Sequence, residues 1–234
     1  MAVRSLADLE SALDEGLAWR RIEISALRGS LRDAARQNAD APLARALRRS
    51  SVALGYAHWE GYGREAFSAY ADYLKRKRLR LAEVNDGLLL SCLMLMARKA
   101  KSSPDVGRDA LIEMVRRLGD ARIRLPLEEL TDTKGNLRFR VLERIMSGLG
   151  LEMTDFEMRR NWIDVVLCDQ RNSIAHGRGL CPSVLDALEI VEEVLSLMER
   201  LRDAIVGSAR SLGYLAPNAD LNSQRQEVVA CVRG

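Results

Sequence analysis

The stretch Arg171-Asn172-Ser173-Ile174-Ala175-His176-Gly177 places one of the chain's two histidines beside an arginine and an amide. Histidine titrates near neutral pH and can move protons, while arginine stays charged and grips phosphate oxygens through a planar fork. These side chains can handle RNA without a metal, because RNA supplies its own 2′-hydroxyl nucleophile and asks only for proton transfer and charge stabilisation. On a helix Asn172 and His176 are four apart and share a face, whereas Arg171 and His176 point roughly 140° apart. Arg171 must bend back toward its own imidazole or meet one from a second chain. A structural reading stands beside the catalytic one, since a charged histidine in the last turn of a helix is favoured by the helix dipole alone.

The apolar residues Trp162, Ile163, Val165, Val166 and Leu167 precede the motif. They predict a largely buried helix of about five turns from near Asp155, ended by Gly177 as a left-handed cap. Leu6, Leu9, Leu13, Leu17, Ile24, Leu27 and Leu31 predict a first helix over 5–37, broken by Asn38-Ala39-Asp40-Ala41-Pro42. A second long helix comes next, over 42–80, and two such helices with a short connection begin a bundle. Asn85-Asp86 can start a third helix through Ala97, and Ser102-Ser103-Pro104-Asp105 can cap a fourth through Leu118. Residues 120–135 read either as a loop with a short helical piece or as a small strand pair. The last helix is expected over 183–206, with Val184, Leu188, Val191, Val194, Leu195, Met198, Leu201 and Ile205 on one face.

Two further constellations carry charge. Lys75-Arg76-Lys77-Arg78-Leu79-Arg80 puts five cations into six residues at the expected end of the second helix. That run suits the helix dipole and solvent, and if it lies beside the motif it would bind phosphates without reading sequence. Arg159, Arg160 and Arg178 add positive charge near the motif. Glu60 is an acid in a helix whose Trp59, Phe67 and Tyr70 face inward, so it either reaches Arg171 or is paired for structural reasons. His58, between Ala57 and Trp59, reads as a packed core histidine, and Gly61-Tyr62-Gly63 as a close packing point between helices.

Arg171-Asn172 followed by His176-Gly177 after an apolar helix resembles the R-x4–6-H motif of the HEPN superfamily. Tyr56-Ala57-His58-Trp59-Glu60-Gly61 is similar to a segment of the prokaryotic HEPN subgroup related to RiboL-PSP-HEPN proteins. The stretch from Asn136-Leu137 to Leu149-Gly150-Leu151 resembles that subgroup's connecting helix. The three matches come in the family's order and cover roughly residues 20–205. The resemblance implies an all-α fold, an elongated helical bundle over 1–212 with an inserted helical and loop region at 84–135, and a tail over 213–234. It implies a metal-independent endoribonuclease of bacterial defence or a toxin–antitoxin pair, with RNA as substrate and an antitoxin or other defence protein as a possible partner. Arg171 would stabilise developing charge, Asn172 would position the histidine or phosphate, and His176 would be general base or acid. Glu60 would support them, and Lys75, Arg76, Lys77, Arg78 and Arg178 would hold RNA. It implies a homodimer whose motif helices face each other, two His176 and two Arg171 sharing one cleft. A catalytically silent dimeric module that binds nucleotide, RNA or a partner protein is the alternative.

Composition agrees with this class. A chain of 234 residues that is 47% hydrophobic can bury a substantial core. Aromatics are 5% while Leu, Ala, Arg and Glu are frequent, which favours helices over sheets. A net charge of +3 is too mild to declare nucleic-acid binding by itself, so charge placement matters more. Cys92, Cys168, Cys181 and Cys231 form no C-x-x-C pair and read as reduced thiols of a cytoplasmic protein, with Cys168 in the core. No metal site and no cofactor are expected. Phosphate-loop, nucleophile-elbow and H-E-x-x-H signatures are absent, as are a signal peptide and an apolar run approaching the ~20 residues of a membrane span.

Overall fold

The computed structural model describes residues 3–102 and 121–217, with positions 109, 112 and 116 between them. Its described residues form an all-helical fold. Helix α1 (Leu6–Asn38) begins at Ser5, whose hydroxyl accepts from the Asp8 amide while the Asp8 carboxylate accepts from the Ser5 amide. That reciprocal cap satisfies two amides otherwise without partners. Leu9, Leu13, Leu17, Ile24 and Leu31 form its buried stripe.

Helix α2 (Pro42–Arg76) buries residues all round, among them Val52, Tyr56, Trp59, Ala66, Phe67, Tyr70 and Leu74. A helix with apolar residues on every side belongs at the centre of a bundle. It packs between α1 and the last helix, α8 (Val184–Ser211), which carries the same reciprocal cap at Ser183 and Asp186. At Gly55 the two helices are in close contact, with room for a Cβ at ordinary van der Waals distances of 3.6–3.8 Å from Val194, Ile190 and Val191. Arg21–Glu199, Arg202–Asp14 and Arg210–Glu10 ion pairs stitch α1 to α8 along their outer edges.

Helix α2 stops four residues before the expected end. Arg78 takes a left-handed φ of 54°, and the turn sends Leu79 into the core. Leu79 and Leu81 then pair with Ala121 and Ile123 through two backbone hydrogen bonds, an antiparallel bridge at Arg80 and Arg122. The reading of 120–135 as a loop with a short helical piece holds at α4 (Leu127–Leu130), whereas no strand pair forms within the segment among its described residues, the bridge running to Arg80 outside it. Helix α3 (Asp86–Ser102) starts where Asn85 accepts from the Leu88 amide, and packs on α5 (Phe139–Gly148), the expected connecting helix. The helix expected from Ser102 to Leu118 falls almost wholly outside the described residues. So do Cys231 and most of the expected tail.

The start of that tail is docked. Tyr214 is buried against Tyr73, and backbone bonds join Asn85 to Tyr214 and Ala216 to Glu83. Among the described residues no helix is long and apolar enough to cross a membrane.

Candidate functional site

The motif sits on a helix more broken than its apolar content predicts. Helix α6 (Thr154–Glu157) forms one turn, a π-helical segment (Trp162–Asp169) comes after it, and α7 (Gln170–Ala175) carries the motif. π-Helical turns recur at functional sites, where the wider turn re-aims the side chains beyond it. Only Ile163, Leu167 and Cys168 of the π segment are buried, while Met158 and Val165 are 92% and 57% exposed. The expected burial is therefore confined to one stripe, because the segment has more apolar residues than a surface helix has core-facing positions. Asp164 accepts from the Phe139 amide and caps α5 from outside, and Arg138 pairs with Asp169.

The expected stop at Gly177 is present in full. Gly177 has φ 72°, its amide donates to Ile174 O, and the Arg178 amide donates to Ser173 O. This pair of bonds closes the free carbonyls of the helix end, and a left-handed φ there favours glycine.

Arg171 is fixed on several sides. Its guanidinium lies 3.9 Å from the centre of the Tyr56 ring, Nη1 donates to Asn172 Oδ1 at 2.8 Å, and Nη2 donates to Gly135 O at 3.3 Å. Glu60 Oε2 is 3.8 Å from Nη2, a near ion pair. Cation–π stacking and a fork shared between two oxygens fix the orientation of an arginine far better than a solvated ion pair does.

The loop beneath Arg171 is held by the 56–64 segment of α2. Tyr56 accepts from the Leu137 amide at 2.9 Å, and Trp59 Nε1 donates to Leu137 O at 3.1 Å. Burial, and then the charge of Glu60, pushes the Tyr56 phenol far above its ordinary range, so it stays protonated. Thr133 donates to Glu60 Oε1 at 2.7 Å, and Arg64 lies 3.5 Å from the same oxygen. A nearly buried carboxylate thus sits between two arginines and a hydroxyl. Gly63 permits the contact, because a Cβ there would meet Leu137 at 2.6 Å.

The structure brings Arg171, Asn172 and Glu60 together and leaves His176 apart from them. His176 closes α7 at the surface, its amide donating to Asn172 O at 3.0 Å and its imidazole exposed without a partner among the described residues. Asn172 turns its amide oxygen to Arg171 rather than to the imidazole. Arg178 is exposed just beyond. The 75–80 run is elsewhere. Arg76 lies roughly 24 Å from Glu60 along α2 at 1.5 Å per residue. Arg76 pairs with Asp72 and Lys77 covers the Tyr73 ring, whereas Lys75 and Arg78 are exposed.

His58 is a core residue. It is 3% exposed, edge-on to Trp19, with Nε2 3.1 Å from Glu23 Oε2 but without hydrogen-bond alignment, and burial lowers its pKa. Cys168 is also core, its thiol pushed up to about 12 by burial. Among the described residues no cluster of His, Cys, Asp or Glu could hold a metal ion. The sequence reading missed Thr133, Gly135 and Arg64. Lys134-Gly135 was legible as a turn, but its partner was not.

An all-helical bundle that presents an R-N-x-x-x-H motif on a surface helix, braced by an earlier helix, defines the class. The chain belongs to the RiboL-PSP-HEPN family, whose model matches residues 15–207. No curated protein and no solved structure matches it significantly.

Proposed function

We propose that the chain is a metal-independent endoribonuclease acting in bacterial defence or as a toxin, in the cytoplasm, within a single HEPN domain over 1–212. The observation that carries this reading is the pairing of a fixed Arg171 with an exposed His176 on one short helix. A fixed cation costs little reorganisation when charge develops on a phosphorane, and an imidazole in solvent is free to exchange protons.

The reaction needs no group beyond these side chains and the substrate. The 2′-oxygen attacks phosphorus and yields its proton to one imidazole. The bond from phosphorus to the 5′-oxygen breaks, and a protonated imidazole gives that oxygen its proton. A 2′,3′-cyclic phosphate and a 5′-hydroxyl remain.

Two proton-transfer groups are required and each motif supplies one, so the working unit is a homodimer with facing motif helices. The exposed apolar pair Met158 and Val165 supports that face. Arg178 belongs beside the cleft, and the 75–80 run would meet the strand only beyond it.

A second reading has its own support. Both Nη atoms of Arg171 are turned inward to Asn172, Gly135 and Glu60, as in a module where the motif is structural. Incubating the purified chain with RNA, with and without EDTA, separates the two. Cleavage that persists in chelator and ends in a cyclic phosphate supports the enzyme. Intact RNA, with no toxicity on expression, supports the silent module.

A further inference from the structure

The first turns of α2 depart from the charge pattern of the two long helices packed beside it. The N-terminal end of a helix carries partial positive charge, and natural helices place acids there and cations at the other end. Helices α1 and α8 do so with Asp8 and Asp186. Helix α2 begins at Ala41 without a side-chain cap, has no acid in its first turn, and carries Arg45, Arg48 and Arg49 instead. Arg45 and Arg49 stand four apart on one face, an arrangement that costs rather than contributes stability.

The Arg49 side chain and the Arg45 backbone meet the loop that leaves the motif. Arg49 Nη1 donates to Arg178 O at 2.8 Å and to Leu180 O at 2.5 Å, and the Cys181 thiol lies 3.8 Å from Arg45 O. The loop contributes Arg178, which is exposed, and His176 immediately precedes it. No acid occurs in 42–59 or in 170–185, the two segments that meet here. Among the described residues none of Arg45, Arg48, Arg49 and Arg178 is paired with a carboxylate, whereas arginines along the α1–α8 edges are. Arg45 and Arg49 thus stand against the helix dipole, unpaired with a carboxylate, where their helix meets the loop that His176 precedes.

We propose that Arg45, Arg49 and Arg178 form a phosphate-binding array that holds consecutive phosphates of a single RNA strand next to His176. Arg49 is doubly suited, since two backbone carbonyls fix one of its nitrogens and leave the rest of the fork for an oxyanion. The array reads no base. It sets where along the backbone the strand lies, so that a 2′-hydroxyl reaches the imidazole. This inference rests on the ribonuclease reading and deepens it by naming the residues that carry substrate affinity.

The test is binding of a fluorescent, fully 2′-O-methylated oligoribonucleotide, which cannot be cleaved, by the full chain over a range of salt concentrations. For single strands each neutralised phosphate contributes about 0.7 to the slope of log affinity against log salt. Arg45→Gln with Arg178→Gln is expected to reduce that slope by about 1.4. Arg45→Lys with Arg178→Lys should restore it. Arg4→Gln with Arg210→Gln removes the same charge from the opposite end of the bundle and should leave the slope unchanged. An unchanged slope in the Arg45 and Arg178 variant, or an equal fall in the Arg4 and Arg210 variant, overturns the array. If the wild-type chain cleaves RNA while the slope is unmoved, only the array falls. If it neither binds nor cleaves RNA, the ribonuclease reading falls and takes the array with it.

Discussion

The guanidinium of Arg171 lies over the Tyr56 ring, 3.9 Å from its centre, and the same tyrosine's hydroxyl accepts from the Leu137 amide at 2.9 Å. One residue of α2 therefore fixes both the motif arginine and the loop whose Gly135 carbonyl that arginine meets. Tyr56→Phe keeps the ring and removes the hydroxyl, leaving the buried Leu137 amide without its acceptor. The expected cost is about 1–3 kcal/mol, read as a lower urea midpoint, with cleavage reduced less than in Arg171 variants. An unchanged midpoint would mean that the loop is held without this bond.

His176→Ala should lower cleavage by roughly 10²–10⁴, the usual contribution of general acid–base catalysis. Because the imidazole is exposed and makes no side-chain contact among the described residues, helical circular dichroism and the urea midpoint should not move. Arg171→Lys should be equally inactive, since a lysine keeps the charge but cannot serve Asn172 and Gly135 with one planar group. A fully active lysine variant would reduce the role of Arg171 to charge alone.

Much of this arrangement was legible in the sequence, and the reasons differ from part to part. The helices α1 and α8 announce themselves through periodic apolar residues, a local pattern carried by positions three and four apart. Gly177 was legible for the same reason, because a left-handed cap is a local requirement. The contact of Glu60 with Arg171 could be posed as a question but not answered, since it depends on the packing of α2 against α7. The 133–137 loop was opaque, because its conformation is set by Tyr56, Trp59 and Glu60, more than 70 positions away. The 75–80 run misled the placement of the helix end. Five cations look like a solvated terminus, yet the buried leucine among them pulls the chain into a left-handed turn.

His58 gives a pH dependence whose sign is fixed by burial. Desolvation holds its folded pKa below the ordinary 6.5, against the opposing charge of Glu23 and with that of Arg20. As pH falls, the unfolded chain takes up the proton first, so stability present above about 6.5 is lost toward the folded pKa. Urea midpoints at about pH 7.5 and 5.5 should therefore separate more for the wild type than for His58→Gln. Equal separations would place the acid sensitivity in other groups.

At its distance from Glu60, the 75–80 run would take part in RNA binding only on a strand long enough to reach it. Lys75→Glu with Arg78→Glu, which alters the two exposed cations of the run outside its pairs, should weaken binding of long strands and flatten their salt dependence. Binding and cleavage of an oligonucleotide too short to reach from the motif should stay as in the wild type. A loss for short and long strands alike would place the run beside the site, by a route through a second chain.

The shared cleft makes the sharpest prediction. Arg171 is turned to Tyr56, Asn172 and Gly135 on its own chain, and His176 stands exposed at the end of the same helix, with no hydrogen bond between the two side chains among the described residues. If two motif helices face each other across a two-fold axis, the arginine of one chain meets the histidine of its partner, and each dimer holds two such pairs. A chain carrying Arg171→Ala and a chain carrying His176→Ala should each be inactive alone. In their mixed dimer the intact Arg171 and the intact His176 come from opposite chains and meet in one cleft, so one pair works and the other lacks both members. Random mixing makes half of the dimers mixed, and each keeps one of the two imidazoles, so co-expression should recover cleavage above either homodimer but below about a quarter of wild type. Sedimentation showing a monomer at working concentration would remove the shared cleft. Mixed dimers that form but stay inactive would place each Arg171 with the His176 of its own chain.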